Sequence, residues 1–140
     1  MAAGGATMAR RGWHRGVFAA AGLYNIGWGL YSALDPQWLF RVAGMPPASN
    51  PEIFACLGMV VGLYGILYLD VARRPEQGGL IAAVGLAGKV LGPIGAVVLI
   101  RSGEWPPAAF VLCLTNDLVW WIPFGLYLLD FRRVGSGRRA

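Results

Sequence analysis

Residues 79–100 read GLIAAVGLAGKVLGPIGAVVLI. The run carries one ionisable side chain, Lys89, and is otherwise built from apolar residues, glycine and Pro93. A helix of about 20 apolar residues crosses a hydrocarbon core of about 30 Å, so this run reads as a membrane span. Working outward, three more runs have similar length and character. They are residues 16–34, residues 52–71 (EIFACLGMVVGLYGILYLDV) and residues 107–129 (PAAFVLCLTNDLVWWIPFGLYLL). In lipid the backbone has no water to bond with, so each span must be a helix. A transmembrane barrel needs shorter segments that alternate in polarity, and these runs do not alternate. The expected fold is all-α: a polytopic four-transmembrane-helix bundle with a short interfacial helix after the first span.

Composition agrees. Charged residues are 14% of the 140-residue chain and hydrophobic residues 56%, against a usual charged share of about 25%. So few charges do not cover the surface of a water-soluble globule of this size. Gly and Pro are abundant but follow no Gly-X-Y period, which excludes collagen. The net charge of +5 comes from arginines beside apolar runs, with no basic stripe interleaved with aromatics. That pattern suits membrane orientation and not nucleic acid. Arg10, Arg11 and Arg15 imitate the start of a signal peptide, but the following run is long and no A-x-A site follows it. It reads as a retained helix.

The connections carry start and stop signals. Asp35-Pro36 opens a short helix over residues 36–43, with Asp35 as cap, and Gly44 stops it. Trp38, Leu39 and Val42 suit a membrane interface, with Arg41 reaching to water. Asn50-Pro51-Glu52 opens the second span with an acid in its first turn. Arg73-Arg74-Pro75-Glu76 and Gly103-Glu104-Trp105-Pro106-Pro107 are turns. The parts are therefore a basic flank (1–15), a transmembrane domain (16–131) and a basic flexible tail (132–140). Arg10, Arg11, Arg15, Arg73, Arg74, Arg132, Arg133, Arg138 and Arg139 fall on one side, against Arg41 and Arg101 on the other. The positive-inside rule places both termini of this multi-pass protein in the cytoplasm.

Within the spans, small residues share helix faces: Gly58, Gly62 and Gly65, then Gly85, Gly88, Gly92 and Gly95. Such faces let backbones approach closely, within one bundle or between copies in a homo-oligomer. Polar residues gather at middle depth: Asn25, Lys89, Asn116 and Asp117. A lone charge at the bilayer centre costs at least about 2.5–3.5 kcal/mol. Lys89 and Asp117 are therefore expected to pair, with the two asparagines as neighbours. Whether that centre is structural or functional stays open. Pro93 has no N–H to give the Lys89 carbonyl, so that carbonyl is freed. Cys113, Trp120, Trp121 and Phe124, with Asp117, form a helical stripe that can line a pocket for a quinone or lipid. Packing and interfacial anchoring are the other readings of those aromatics. Cys56 and Cys113 read as inert thiols or as a redox pair. One histidine, His14, supports neither a haem pair nor a metal cluster. No catalytic motif is present, so no residue is assigned a catalytic role.

The basic N-terminus, first helix, long outer loop, and Glu52 opening EIFACLGMVVGLYGILYL together resemble the DoxX-like group of small four-helix membrane proteins. The resemblance covers residues 10–100, and TNDLVWWIPFGLYL (115–128) lies outside its pattern. It implies a four-helix bundle and partnership with a membrane, quinone-linked complex. The expected function is thus an accessory or subunit role around the Lys89–Asp117 centre. A small transporter or ion conductor, and an enzyme acting on a quinone or lipid, are the alternatives.

Overall fold

The computed structural model describes the backbone of residues 2–137 and the side chains of residues 10–134. Arg138, Arg139 and Ala140 of the expected tail lie outside the described residues. Among the described residues every regular element is helical: α1 (Ala2–Leu34), α2 (Trp38–Ala43), α3 (Pro51–Arg73), α4 (Gly79–Arg101), α5 (Val111–Cys113) and α6 (Val119–Gly137). A 3-10 turn, Pro107–Phe110, precedes α5, and a π turn, Leu114–Leu118, joins α5 to α6. Three helical stretches are long and apolar enough to cross a membrane: Pro51–Arg73, Gly79–Arg101 and Pro107–Val134. Many large side chains on their surfaces, Leu63, Leu80, Leu91 and Ile122 among them, are exposed. Apolar cover on that scale suits contact with lipid tails.

The helix ends differ from expectation in three places. The flank before residue 16 is helical from Ala2, and α6 runs on to Gly137 through residues read as a tail. Asp35 does not cap α2: the cap position is Gln37, with no side-chain bond to the helix. The Asp35 carboxylate is taken by the Arg41 guanidinium, and that bond holds the carboxyl below the usual range. Gly44 does end α2, at φ +67°, a conformation that needs glycine. Gln37 and Ala48 exchange two hydrogen bonds across the loop, at 3.1 and 2.9 Å.

α1 and α3 cross closely. A Cβ at Gly29 would meet the Gly58 carbonyl oxygen and, at 2.5 Å, the Gly62 nitrogen. One at Gly65 would lie 2.6 Å from the Gly22 carbonyl oxygen. Glycine on both helices is what permits this backbone contact. Gly58, Gly62 and Gly65 on α3 lie at this crossing, and Gly22 and Gly29 on α1 complete it. α4 lies against α6, and the two helix pairs meet through a buried aromatic cluster. Phe18 stacks on Phe124 at 4.5 Å and sets its edge against Tyr127 at 4.8 Å. Tyr68 sets its edge against Phe124 at 5.2 Å.

The glycine face of α4 is narrower than expected. A Cβ at Gly85 would strike the Tyr68 ring, and one at Gly92 would stand 3.1 Å from an Asp117 carboxylate oxygen. At Gly88 and Gly95 a Cβ would meet nothing within 4 Å. Helical geometry gives the reason. Gly85 and Gly92 lie within about 20° of each other, whereas Gly88 is turned about 60° away from Gly85. Within the chain, Gly88 and Gly95 thus lie off the contact that Gly85 and Gly92 make.

Candidate functional site

The polar centre is assembled by α4 and the π turn. Lys89 sits midway along α4 with its side chain 5% exposed. Its ammonium donates to the Asn116 carbonyl oxygen at 2.6 Å. The Asn116 side-chain amide donates to Asp117 Oδ1 at 3.0 Å. Asp117, 7% exposed, forms no direct ion pair with Lys89 within 4 Å. Both residues therefore bond to Asn116, Lys89 at its main-chain carbonyl and Asp117 at its side-chain amide, in place of the expected direct contact. Continuous α-helix would give residues 113, 117, 120 or 121, and 124 a common stripe. The π turn over Leu114–Leu118 adds a residue to that turn and turns the stripe aside. Thr115, Asn116 and Asp117 are short polar residues that compete for backbone bonds, which is where an α-helix yields most readily.

Pro93 has the effect its chemistry dictates. It lies within α4, and the Lys89 carbonyl, left without its helical donor, accepts a hydrogen bond from the Trp121 indole N–H at 2.9 Å. Lys89 is thus fixed to the last helical stretch at both its carbonyl and its ammonium. Its Nζ also lies 5.9 Å from the centre of the Trp120 ring, within reach of a cation–π attraction.

A cavity of about 280 Å³ opens beside this centre. Its polar wall is Asn25, Lys89, Asn116 and Asp117, with Tyr64 and Tyr68 from α3. Its apolar lining is Val61, Val84, Gly85 and Gly88. Cys113, Trp120, Trp121 and Phe124, expected to line a pocket, do not line this one. Cys113 is buried, Trp120 and Trp121 engage Lys89 from behind, and Phe124 belongs to the aromatic core. Asn25 is brought to the cavity as its position in the first run suggested. It is 4% exposed, and its side-chain oxygen has no partner. The Asn116 side-chain oxygen is also buried without one. Cys56 is exposed, Cys113 is buried, and both are free thiols, so they do not form a disulfide.

A second polar cluster lies at the end of the bundle where α1 begins. His14 is 6% exposed, with Nε2 3.0 Å from Asp130. Arg10 donates to the same carboxylate at 2.9 Å, and Arg11 to Glu76 at 2.8 Å. The Tyr127 hydroxyl donates to the Pro75 carbonyl oxygen at 2.5 Å. Sequence reasoning left His14 in a flank because α1 was expected to start after it. No group of three metal-ligating side chains occurs among the described residues.

No family model, curated protein or solved structure matches the chain.

Proposed function

We propose that the chain is a four-span membrane protein, with both termini in the cytoplasm, that serves as an accessory component of a membrane complex and holds a small lipid-soluble ligand beside Lys89. The observation that carries this reading is the cavity walled by Lys89, Asn116, Asp117 and Asn25 among otherwise apolar helices. Ionisable groups at membrane depth are costly and mark functional sites by default. A π turn in a helix often accompanies such a site. The wall supplies hydrogen bonds and two opposite charges, a set suited to holding a neutral molecule of the quinone or lipid kind.

The first span is α1, whose 33 residues reach about 50 Å. Its Asn25, Tyr24, Tyr31 and Ser32 lower its apolar character. Its close crossing with α3 supports a common depth for the two helices. α2 then lies at the outer interface. The resemblance to the DoxX-like group supports a partner in a quinone-linked complex.

Labels at the N-terminus, Gln77 and Ala140 are expected to report the cytoplasm, and one at Ser49 the outside. A C-terminus outside contradicts the topology. A tagged chain extracted from its own membrane in mild detergent is expected to bring a stoichiometric partner. Purification as a chain without one contradicts the accessory role.

A further inference from the structure

The cavity joins a polar set, Asn25, Lys89, Asn116 and Asp117, to residues of α3 (Val61, Tyr64, Tyr68) and α4 (Val84, Gly85, Gly88). The two helices touch near their connecting turn, where Gly78 meets Val71 and Gly85 meets the Tyr68 ring. Gly88 is turned about 60° from Gly85, off that contact, and a Cβ there would find no neighbour within 4 Å. Gly88 nevertheless lines the cavity, together with Val84, which is 46% exposed. The same positions thus belong to the cavity wall and to the apolar outer surface of the helices. A glycine that packs against nothing, at the rim of a polar cavity, leaves an opening that any larger side chain would narrow.

The contents of the cavity can be read from its wall. Lys89 and Asp117 carry opposite charges, so a charged head would leave a net charge among lipid tails, and a neutral head would not. At the wall the Lys89 ammonium donates hydrogen bonds and the Asp117 carboxylate accepts them. A hydroxyl, which both donates and accepts, meets that pair without adding charge. The volume of about 280 Å³ is below the range of about 300–1,000 Å³ that encloses a drug-sized molecule. It holds a head and leaves a chain outside.

Resting on the ligand-binding reading above, we infer that the site takes a single-chain amphiphile with an uncharged, hydroxyl-bearing head from the bilayer itself. The head enters sideways between α3 and α4 across Gly88, and the alkyl chain stays among the lipid tails. Gly88 is then the residue that sets which ligands enter, and its small size serves the opening and not the packing.

The test uses full-length chain in detergent micelles and two probes with the same head chemistry, 4-dodecylresorcinol (a ring) and 1-monolauroylglycerol (an open chain). Bound copies are counted by native mass spectrometry. At least one probe is expected to bind the wild type one to one, and which one does distinguishes a ring lipid from a glycerolipid. Gly88→Leu is expected to lower its affinity at least tenfold without a change in thermal unfolding. Lys89→Met is expected to lower it too. Wild-type affinity in Gly88→Leu, with loss in Lys89→Met, overturns sideways entry and leaves the site standing. Failure of the wild type to bind either probe overturns the ligand class. A second measurement needs no ligand and covers a Gly88→Leu chain that fails to fold. A nitroxide on Gly88→Cys, in a Cys56→Ser background, is expected to be relaxed more strongly by dissolved oxygen than by a water-soluble nickel chelate. The reverse order means the rim faces water, and it overturns the proposal.

Discussion

Gly29→Ala tests the α1–α3 crossing. The added methyl would overlap the Gly58 carbonyl oxygen and stand 2.5 Å from the Gly62 nitrogen and 2.8 Å from the Gly62 Cα. Carbon contacts are ordinarily about 3.5–4.0 Å, so the shortfall is about 1 Å. Every overlapped atom is backbone, so no side chain can swing aside and the helices must separate. A gap of about 0.5–1 Å forfeits a quarter to a half of the dispersion energy of each affected contact. Overpacking of this kind costs about 1–3 kcal/mol. Alanine's better helix propensity, worth up to about 1 kcal/mol, offsets part of it. A net loss of about 1–2 kcal/mol is expected. Gly62→Ala is the control, because a Cβ there meets only the Gly29 Cα, at 3.9 Å. It is expected to stay within about 0.5 kcal/mol of wild type. Unfolding in detergent, followed by circular dichroism, reads both. Equal stability of Gly29→Ala and wild type, or equal damage from the two variants, refutes the crossing as described.

Trp121→Phe removes the donor to the Lys89 carbonyl and leaves it buried and unpaired, an expected loss of about 1–3 kcal/mol. In a Pro93→Ala background the helix supplies its own N–H, so the loss should shrink, and an undiminished loss in thermal unfolding contradicts the assignment. Lys89→Met and Asp117→Leu each remove one of two opposite buried charges and leave an Asn116 group without its partner, an expected cost of about 1–3 kcal/mol. The double variant should cost less than the sum in the same assay, and wild-type stability in either single variant contradicts the coupling of the two charges. Asp35 should titrate below its ordinary range by NMR, because Arg41 favours its ionised form. The stabilisation is present at neutral pH and is lost as pH falls through the lowered value. Arg41→Gln should bring the titration back up.

How much was legible in the sequence differs from residue to residue. Lys89 stood out because charge is rare in an apolar run, and Pro93 freed its carbonyl by covalent chemistry alone. That the carbonyl goes to Trp121 was not legible, since the contact joins residues far apart in the chain. Asp117 and Asn116 were legible by type and depth as neighbours of Lys89, but the bond from Lys89 to the Asn116 main-chain carbonyl was not, since side-chain type does not reveal it. Face assignments assume a constant helical period, and the π turn over Leu114–Leu118 breaks it. Cys113 and Phe124 lie outside the cavity, Phe124 in the aromatic core. On α4 the glycine spacing reads as one face, yet Gly85 and Gly92 share one direction and Gly88 and Gly95 another about 60° away, and only the first pair meets a neighbour. On α1 the isolated Gly22 and Gly29 carried no short-range motif, yet both lie at the closest backbone approach. His14 was misread because nothing between residues 2 and 16 announces a helix start.

The central claim is that the Lys89–Asn116–Asp117 cavity holds a lipid-soluble ligand. Native mass spectrometry of the chain released from its own membrane tests it most directly, with wild type compared against Lys89→Met. The expected result is one small lipid-soluble adduct per wild-type chain, lost in a Lys89→Met chain that remains folded. A wild-type chain with no adduct, or an adduct kept equally by both, contradicts the claim.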